Sequence, residues 1–302
     1  MNAPAPDAVP AKTPLSRETR WAIGLSLLTL YLIWGSTYLA IRVALESWPP
    51  FLMAALRFTT AGALLYAFLR WRGLPAPTRT QWGNAAVTGL LLLGLGNGLV
   101  CFAEQSVASG LAAVAVASMP LFAALFGTLY RQWPRRIEWI GLAIGFIGVV
   151  LLNLGGGMTG SPAGAAALVV ASAAWAFGSV WSRGRDMPPA AMNTAAQMLC
   201  GGVGLSIAAL AFGERLPTAP TTASTLALVY LAVFGSLIAF TAYLYLLRTV
   251  RPVLATSYAY VNPPVAVLLG AALGGEAIHI GDLVAMAVIL GGVALITLTR
   301  GK

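Results

Sequence analysis

The sequence predicts an all-α polytopic membrane protein: ten transmembrane helices as a five-plus-five inverted repeat, with both termini cytoplasmic. Three observations predict it: an apolar composition, a series of membrane-length apolar stretches, and basic residues that alternate between the two ends of those stretches. Of the 302 residues 59% are hydrophobic and 9% charged, where a soluble domain averages about 45–50% and about 25%. Eighteen Lys or Arg and nine Asp or Glu are too few to clothe a globule of this size in water, so lipid is the solvent for most of the chain. The 33 glycines agree with this, because helices in lipid use small residues to bring backbones close.

Ten stretches approach the roughly 20 apolar residues that a bilayer requires. They run Trp21 to Ala44, Pro50 to Leu69, Trp82 to Ala103, Val107 to Tyr130, Trp139 to Leu154, Pro162 to Trp181, Ala190 to Phe212, Ala223 to Leu247, Val253 to Leu273 and Ile280 to Thr299. Residues 1–20, rich in Pro and Ala, read as a disordered N-terminal tail. The first span is too long for a cleaved signal and lacks an A-x-A site, so it is expected to be retained as an anchor.

Orientation follows from the excess of Lys and Arg on cytoplasmic loops. With the N-terminus inside, the inner segments collect Lys12, Arg17, Arg20, Arg70, Arg72, Arg79, Arg131, Arg135, Arg136, Arg183, Arg185, Arg248, Arg251, Arg300 and Lys302, which is 15 of the 18. The outer loops keep Arg42 and Arg215, and Arg57 falls inside the second span. The net charge of +9 is therefore topological rather than a nucleic-acid surface, and no nucleic-acid partner is expected.

Rare residues exclude several chemistries. The only lysines, Lys12 and Lys302, lie in the tails, so no G-x-x-x-x-G-K phosphate loop and no embedded Schiff-base lysine exists. His279 is the only histidine, and Cys101 and Cys200 lie in different spans without C-x-x-C spacing. A zinc site of His and Cys is out of reach; no cofactor, no metal and no catalytic residue is expected.

A shift of 143 residues superposes Gly35-Ser36 on Gly178-Ser179, Arg42 on Arg185, Leu111-Ala112 on Leu254-Ala255, Pro120 on Pro263 and Gly127 on Gly270. The repeats are then residues 21–154 and 162–299, five helices each. An odd number of helices makes the second copy enter the membrane from the opposite side, the arrangement of secondary carriers that rock two halves about a midplane site.

The run Leu32-Ile33-Trp34-Gly35-Ser36-Thr37-Tyr38, then Trp48-Pro49-Pro50 and Arg57-Phe58, resembles the start of the EamA-type exporters of the drug/metabolite transporter superfamily. Ser172 to Ser179, Ala255 to Pro263 and Gly274-Gly275-Glu276 extend the resemblance over nearly the whole chain. It implies a bacterial inner-membrane carrier with helices one to four and six to nine around a cavity, and helices five and ten outside. The expected partners are a small-molecule substrate and the lipid bilayer, with the chain a monomer or a weak homodimer. Export of small amphipathic metabolites such as amino acids is the activity implied; a proton antiporter of drugs or other metabolites, a channel and a membrane enzyme are the alternatives.

Residues four apart share a helix face, which selects Trp34 and Tyr38, Trp175 and Ser179, and Tyr258 and Asn262 as lining of a substrate site. The repeat shift instead superposes Trp34 and Tyr38 on Phe177 and Trp181, so the sixth helix offers two candidate faces. Trp21, Trp48, Trp71, Trp82, Trp133 and Trp139 lie at span ends and are assigned to the interfacial belt. Arg57, about 10 Å into its span, is either a binding residue or a structural one that snorkels or pairs with Glu46 or Glu104. Asn97, within Gly94 to Gly98, is a further polar candidate. Pro120 and Pro263 free backbone carbonyls one turn back and are candidate hinges, or else static kinks. All nine acids fall in the tail or at span ends, so transport is expected to proceed without a protonatable carboxylate inside the membrane.

Overall fold

Hydroxyl side chains open several of the helices, answering N–H groups that a first helical turn leaves without partners. Ser16 Oγ accepts from Thr19 N at 3.1 Å, Ser161 Oγ from Gly164 N at 3.1 Å and Thr221 Oγ1 from Ser224 N at 3.2 Å. Thr78 and Gln81 cap each other reciprocally. The caps at Ser16 and Thr78 place helix starts a few residues before the apolar stretches at Trp21 and Trp82, because hydropathy marks the lipid core whereas capping marks the helix end.

The computed structural model describes residues 16–154, 161–250, 254 and 257–300, and among these all regular structure is helical. In chain order the helices are α1 (Arg17–Leu45), α2 (Pro50–Trp71), α3 (Arg79–Ala103) and α4 (Ser109–Tyr130), then α5 (Arg136–Leu154). They continue with α6 (Pro162–Trp181), α7 (Ala190–Ala211) and α8 (Thr222–Leu246), then α9 (Tyr258–Leu273) and α10 (Ile280–Arg300). Seven of them, α1 to α4 and α6 to α8, are long and apolar enough to cross a membrane. Residues 1–15 of the expected tail lie outside the described residues, and α1 already begins at Arg17.

Packing follows a pattern. α2 lies along α7, α5 along α10 and α4 against α9, while α3 packs on α6 as α8 packs on α1. α6 also rests on α4 as α1 rests on α9. Exchanging each helix for the one five places later turns these pairings into themselves. α5 and α10 pack chiefly on each other and reach the other helices mainly through α4. Their crossing is backbone on backbone: a Cβ added at Gly292 would stand 2.5 Å from Gly145 N.

Three of the long helices contain widened π turns, at Leu30–Trp34 in α1, Leu90–Asn97 in α3 and Leu231–Ile238 in α8. Such turns are rare and concentrate at functional sites, since they shift carbonyls out of the ordinary ladder. α4 breaks as well. Its first piece, Ser109–Val116, ends in a turn at Ala117 and Ser118, and Pro120 is the second residue of Met119–Gly127. α9, by contrast, runs unbroken through Pro263 and Pro264.

Candidate functional site

The π turn of α1 carries Trp34 at its end, facing the widened turn of α8. The Trp34 ring lies 4.7 Å from that of Tyr258, 5.2 Å from Phe240 and 5.5 Å from Tyr243. Its Nε1 donates to Gly235 O at 3.1 Å, which gives a half-buried indole the partner it needs. Tyr243 and Tyr258 meet edge to face at 5.7 Å. Two further bonds tie α1 to its neighbours: Tyr31 Oη to Ser257 Oγ at 2.6 Å and Ser36 Oγ to Tyr230 Oη at 2.7 Å.

Arg57 points into the same interior from the second turn of α2. It is 4% exposed, so it does not snorkel. Its Nε donates to Ser236 Oγ at 3.0 Å, and that hydroxyl donates in turn to Leu231 O at 3.1 Å, five residues back, in the register of a π turn. The guanidinium carbon stands 4.8 Å from the Phe58 ring centroid, and Nη1 has no hydrogen-bond partner among the described residues. Gly235 makes room for this arrangement: a Cβ there would come within 3.1 Å of both Arg57 Nη2 and Thr37 Cγ2.

Glu104 directly follows α3 and is 2% exposed, with neither carboxylate oxygen hydrogen-bonded among the described residues. Burial, and then the Glu276 carboxylate, raises its pKa well above the usual carboxylate range, while Arg42 and Arg57 act in the other direction. Its acidic neighbours are used differently. Glu276 accepts from Ser109 N at 2.7 Å and Gly110 N at 3.1 Å and lies 3.6 Å from Arg42. Glu214 accepts from Phe51 N at 3.2 Å and Leu52 N at 2.7 Å. Both thus neutralise the positive end of a helix, α4 and α2 respectively. Beside them, a recess of about 430 Å³ opens between the ends of α1, α3 and α7, lined by residues including Glu46, Trp48, Phe51, Phe102, Gln105 and Glu214.

The remaining sequence candidates are distributed around this interior. Tyr38 is half-buried in the main core, and Asn262 is 8% exposed with Oδ1 lacking a partner among the described residues. Asn97 Oδ1 accepts from Cys101 Sγ at 3.6 Å, one turn on. Trp175 packs against Gly96 of α3, in a hydrophobic cluster different from that of Trp34. Ser179 Oγ donates to Trp175 O at 2.8 Å, within its own helix. On the alternative α6 face, Phe177 meets Phe126 at 5.4 Å, and Trp181 holds the Arg185 guanidinium at 4.4 Å at the helix end. Contact therefore joins Trp34 to Tyr258 directly, while Trp175 belongs to the α3–α6 interface and Ser179 bonds within α6.

Sequence reasoning missed Phe240, Tyr243 and Ser236, all on α8, a helix whose faces it did not compare. The pair Gly235-Ser236 was the available signal, a small residue beside a hydroxyl deep in an apolar run. It also placed Glu104 by its position at a helix end, which says nothing about burial. Among the described residues no three His, Cys, Asp or Glu are grouped to hold a metal ion.

Long apolar helices around a buried set of polar and aromatic side chains define a multi-pass helical membrane protein. The chain belongs to the EamA-like transporter family, whose model matches twice, over residues 21–154 and 162–298. It is 51% identical over 276 residues to the inner membrane transporter YedA of Escherichia coli strain K12, covering 91% of this chain and 90% of that protein. It is 30% identical over 247 residues to protein PecM of Dickeya dadantii strain 3937, covering 79% and 80%. A solved crystal structure, 24% identical, superposes with a TM-score of 0.65 over 93% of this chain and 99% of that one, which shows a shared fold. Membrane transport is the general activity of this family.

Proposed function

We propose that this protein is a secondary carrier of the bacterial inner membrane that exports small amphipathic metabolites, amino acids first among them, by alternating access. The observation that carries the proposal is the pairing of helices, which maps onto itself when each helix is exchanged for the one five later. With five helices per copy the halves are inverted, the chain crosses ten times, and both termini are cytoplasmic. The alternation of basic loops supports that orientation, and the name of the 51% identical E. coli relative supports the membrane.

The cargo site is the interior bounded by Trp34, Tyr38, Arg57, Tyr258 and Asn262. It combines an aromatic wall with a few placed polar groups, as pockets for small molecules do. Asn97, Trp175 and Ser179 form its α3–α6 side, and Pro120, beside the turn in α4, and Pro263 are its hinges. The chain works as a monomer or weak homodimer and takes no cofactor. Every acid among the described residues lies in a terminal helical turn or a connection, which supports export down the cargo's own gradient or by exchange. Glu104 is the acid that would change this.

The test is saturable counterflow in proteoliposomes with purified protein, using cargo chosen by a ligand-induced stability screen across metabolite classes. Flux that never saturates and shows no counterflow identifies a channel and overturns the proposal. Flux accelerated by a pH gradient at clamped membrane potential overturns the uncoupled part alone.

A further inference from the structure

At the end of the bundle where α1 stops and α2 starts, the recess of about 430 Å³ is lined by two acids, Glu46 and Glu214, and by no base among the described residues. Glu214 uses two of the roughly four acceptor sites of a carboxylate on Phe51 N and Leu52 N. Glu46 is exposed and belongs to neither ion pair within 4.0 Å among the described residues, Arg42–Glu276 and His279–Asp282. Arg215, the residue after Glu214, is also exposed and in neither pair.

One wall of the recess is aromatic. Phe51 lies between Phe102, whose ring is 6.2 Å away and inclined by 9°, and Phe212, 5.2 Å away and inclined by 27°. The faces of such rings attract cations, so the rings and the acids favour the same charge. Phe212 also continues an apolar face of α7 that no other helix covers: Val203, Ile207 and Leu210, four and three residues apart, are each more than half exposed, as Phe212 is. That face runs about 10 Å along the helix and ends at the recess. Trp48 lines the recess between the ends of α1 and α2, at the depth where indole rings meet lipid headgroups.

We propose that the recess and the α7 face hold one zwitterionic phospholipid with a primary ammonium headgroup, its ammonium on Glu46 and Glu214, its phosphate beside Arg215 and an acyl chain along Val203, Ile207 and Leu210. A lipid is the occupant that uses all of these parts, because a soluble amine leaves the α7 face and Arg215 without a role. An anionic headgroup sets its charge against two acids, and a trimethylated ammonium offers their oxygens no N–H. Because Glu214 is itself bonded to the start of α2, a lipid seated there joins the ends of α2 and α7. The site depends on the chain lying in a bilayer and not on which cargo it carries.

The experiment is native mass spectrometry of the delipidated full chain in detergent, titrated with phosphatidylethanolamine, phosphatidylcholine and phosphatidylglycerol of identical acyl chains. The first equivalent of phosphatidylethanolamine is expected to bind roughly tenfold or more tightly than either of the others, the scale of one charge-assisted hydrogen bond. Glu46→Gln, a change at an exposed side chain, loses most of that preference, and so does Phe212→Ala. Arg215→Gln weakens phosphatidylethanolamine and phosphatidylcholine alike and keeps the preference between them. Glu214 is left intact, since its replacement would also uncap α2. Equal affinity of the wild type for the three lipids overturns the proposal, as does a preference that neither Glu46→Gln nor Phe212→Ala changes. Phenethylammonium, a soluble amine, is expected to displace the lipid only at far higher concentration; displacement at equal concentration makes the recess a water-facing amine site and overturns the lipid assignment. No flux is read, so the carrier reading stands or falls separately.

Discussion

Gly292→Ala probes the contact on which α10 depends. The added Cβ would stand 2.5 Å from Gly145 N, 2.6 Å from Gly141 O and 2.7 Å from Gly145 Cα, all backbone atoms of α5. Backbone cannot turn aside as a side-chain tip can, so α10 has to retreat by about 0.9 Å to reach ordinary contact near 3.4 Å. A gap of that size forfeits roughly a quarter to a half of the dispersion attraction of the neighbouring atoms along the crossing. Overpacking of this kind costs about 1–3 kcal/mol, and rigid partners place it at the upper end. Gly291→Ala is the control on the same helix, because none of the described residues lies within 4 Å of its Cβ position. Both variants gain about 1 kcal/mol of helix propensity, so their difference isolates the strain at about 2–3 kcal/mol. The assay is the thermal midpoint of purified protein in detergent, with Gly292→Ala expected several degrees below Gly291→Ala. Flux per folded molecule stays unchanged, since α5 and α10 stand outside the proposed site. Equal midpoints would refute the close backbone crossing and the placement of this pair.

Four other outcomes are expected. Because burial raises the Glu104 carboxyl, the folded state holds a proton that the unfolded state releases, so stability falls as pH rises above the usual carboxylate range, by at most about 1.4 kcal/mol per pH unit; Glu104→Gln flattens that slope, and a midpoint scan from pH 4 to 8 that is identical in both proteins contradicts it. Ser236→Ala removes the acceptor of Arg57 Nε and costs about 1.5–3 kcal/mol, measured as the shift in midpoint against wild type. Replacing Trp34, Trp175, Tyr258 or Asn262 by Ala lowers flux at unchanged abundance; abundance and flux falling together in all four would mean that these residues only pack. A reporter fused after Lys302 is active in the cytoplasm, and periplasmic activity would reverse the proposed orientation.

Composition alone made a soluble fold untenable, and the apolar runs marked where helices lie, since the lipid core imposes a minimum apolar length that single residues record. The caps sharpened the ends: Thr78 with Gln81 begins α3 ahead of the apolar run at Trp82. Trp34 and Tyr258 were each singled out because spacing along a helix reports its face, and their rings lie 4.7 Å apart. Arg57 announced itself by the cost of a charge within a span. The π turns left no such trace, because an extra residue in a turn is settled by which neighbouring carbonyls and hydroxyls can take up the freed bonds. Trp34 Nε1 on Gly235 O and Arg57 Nε on Ser236 Oγ are bonds between residues 201 and 179 positions apart. The fate of Glu104 was equally non-local. Its position at the end of α3 is written in the sequence, but its burial, without a hydrogen-bond partner among the described residues, goes with Arg42 lying against Glu276 and Arg57 bonding to Ser236. The sequence by itself determined the solvent, the helices and the repeat, because those follow from how much apolar chain must be buried in lipid and at what period. Only the tertiary structure decided which polar groups face one another, since a buried charge is satisfied or left free by partners that come from distant helices.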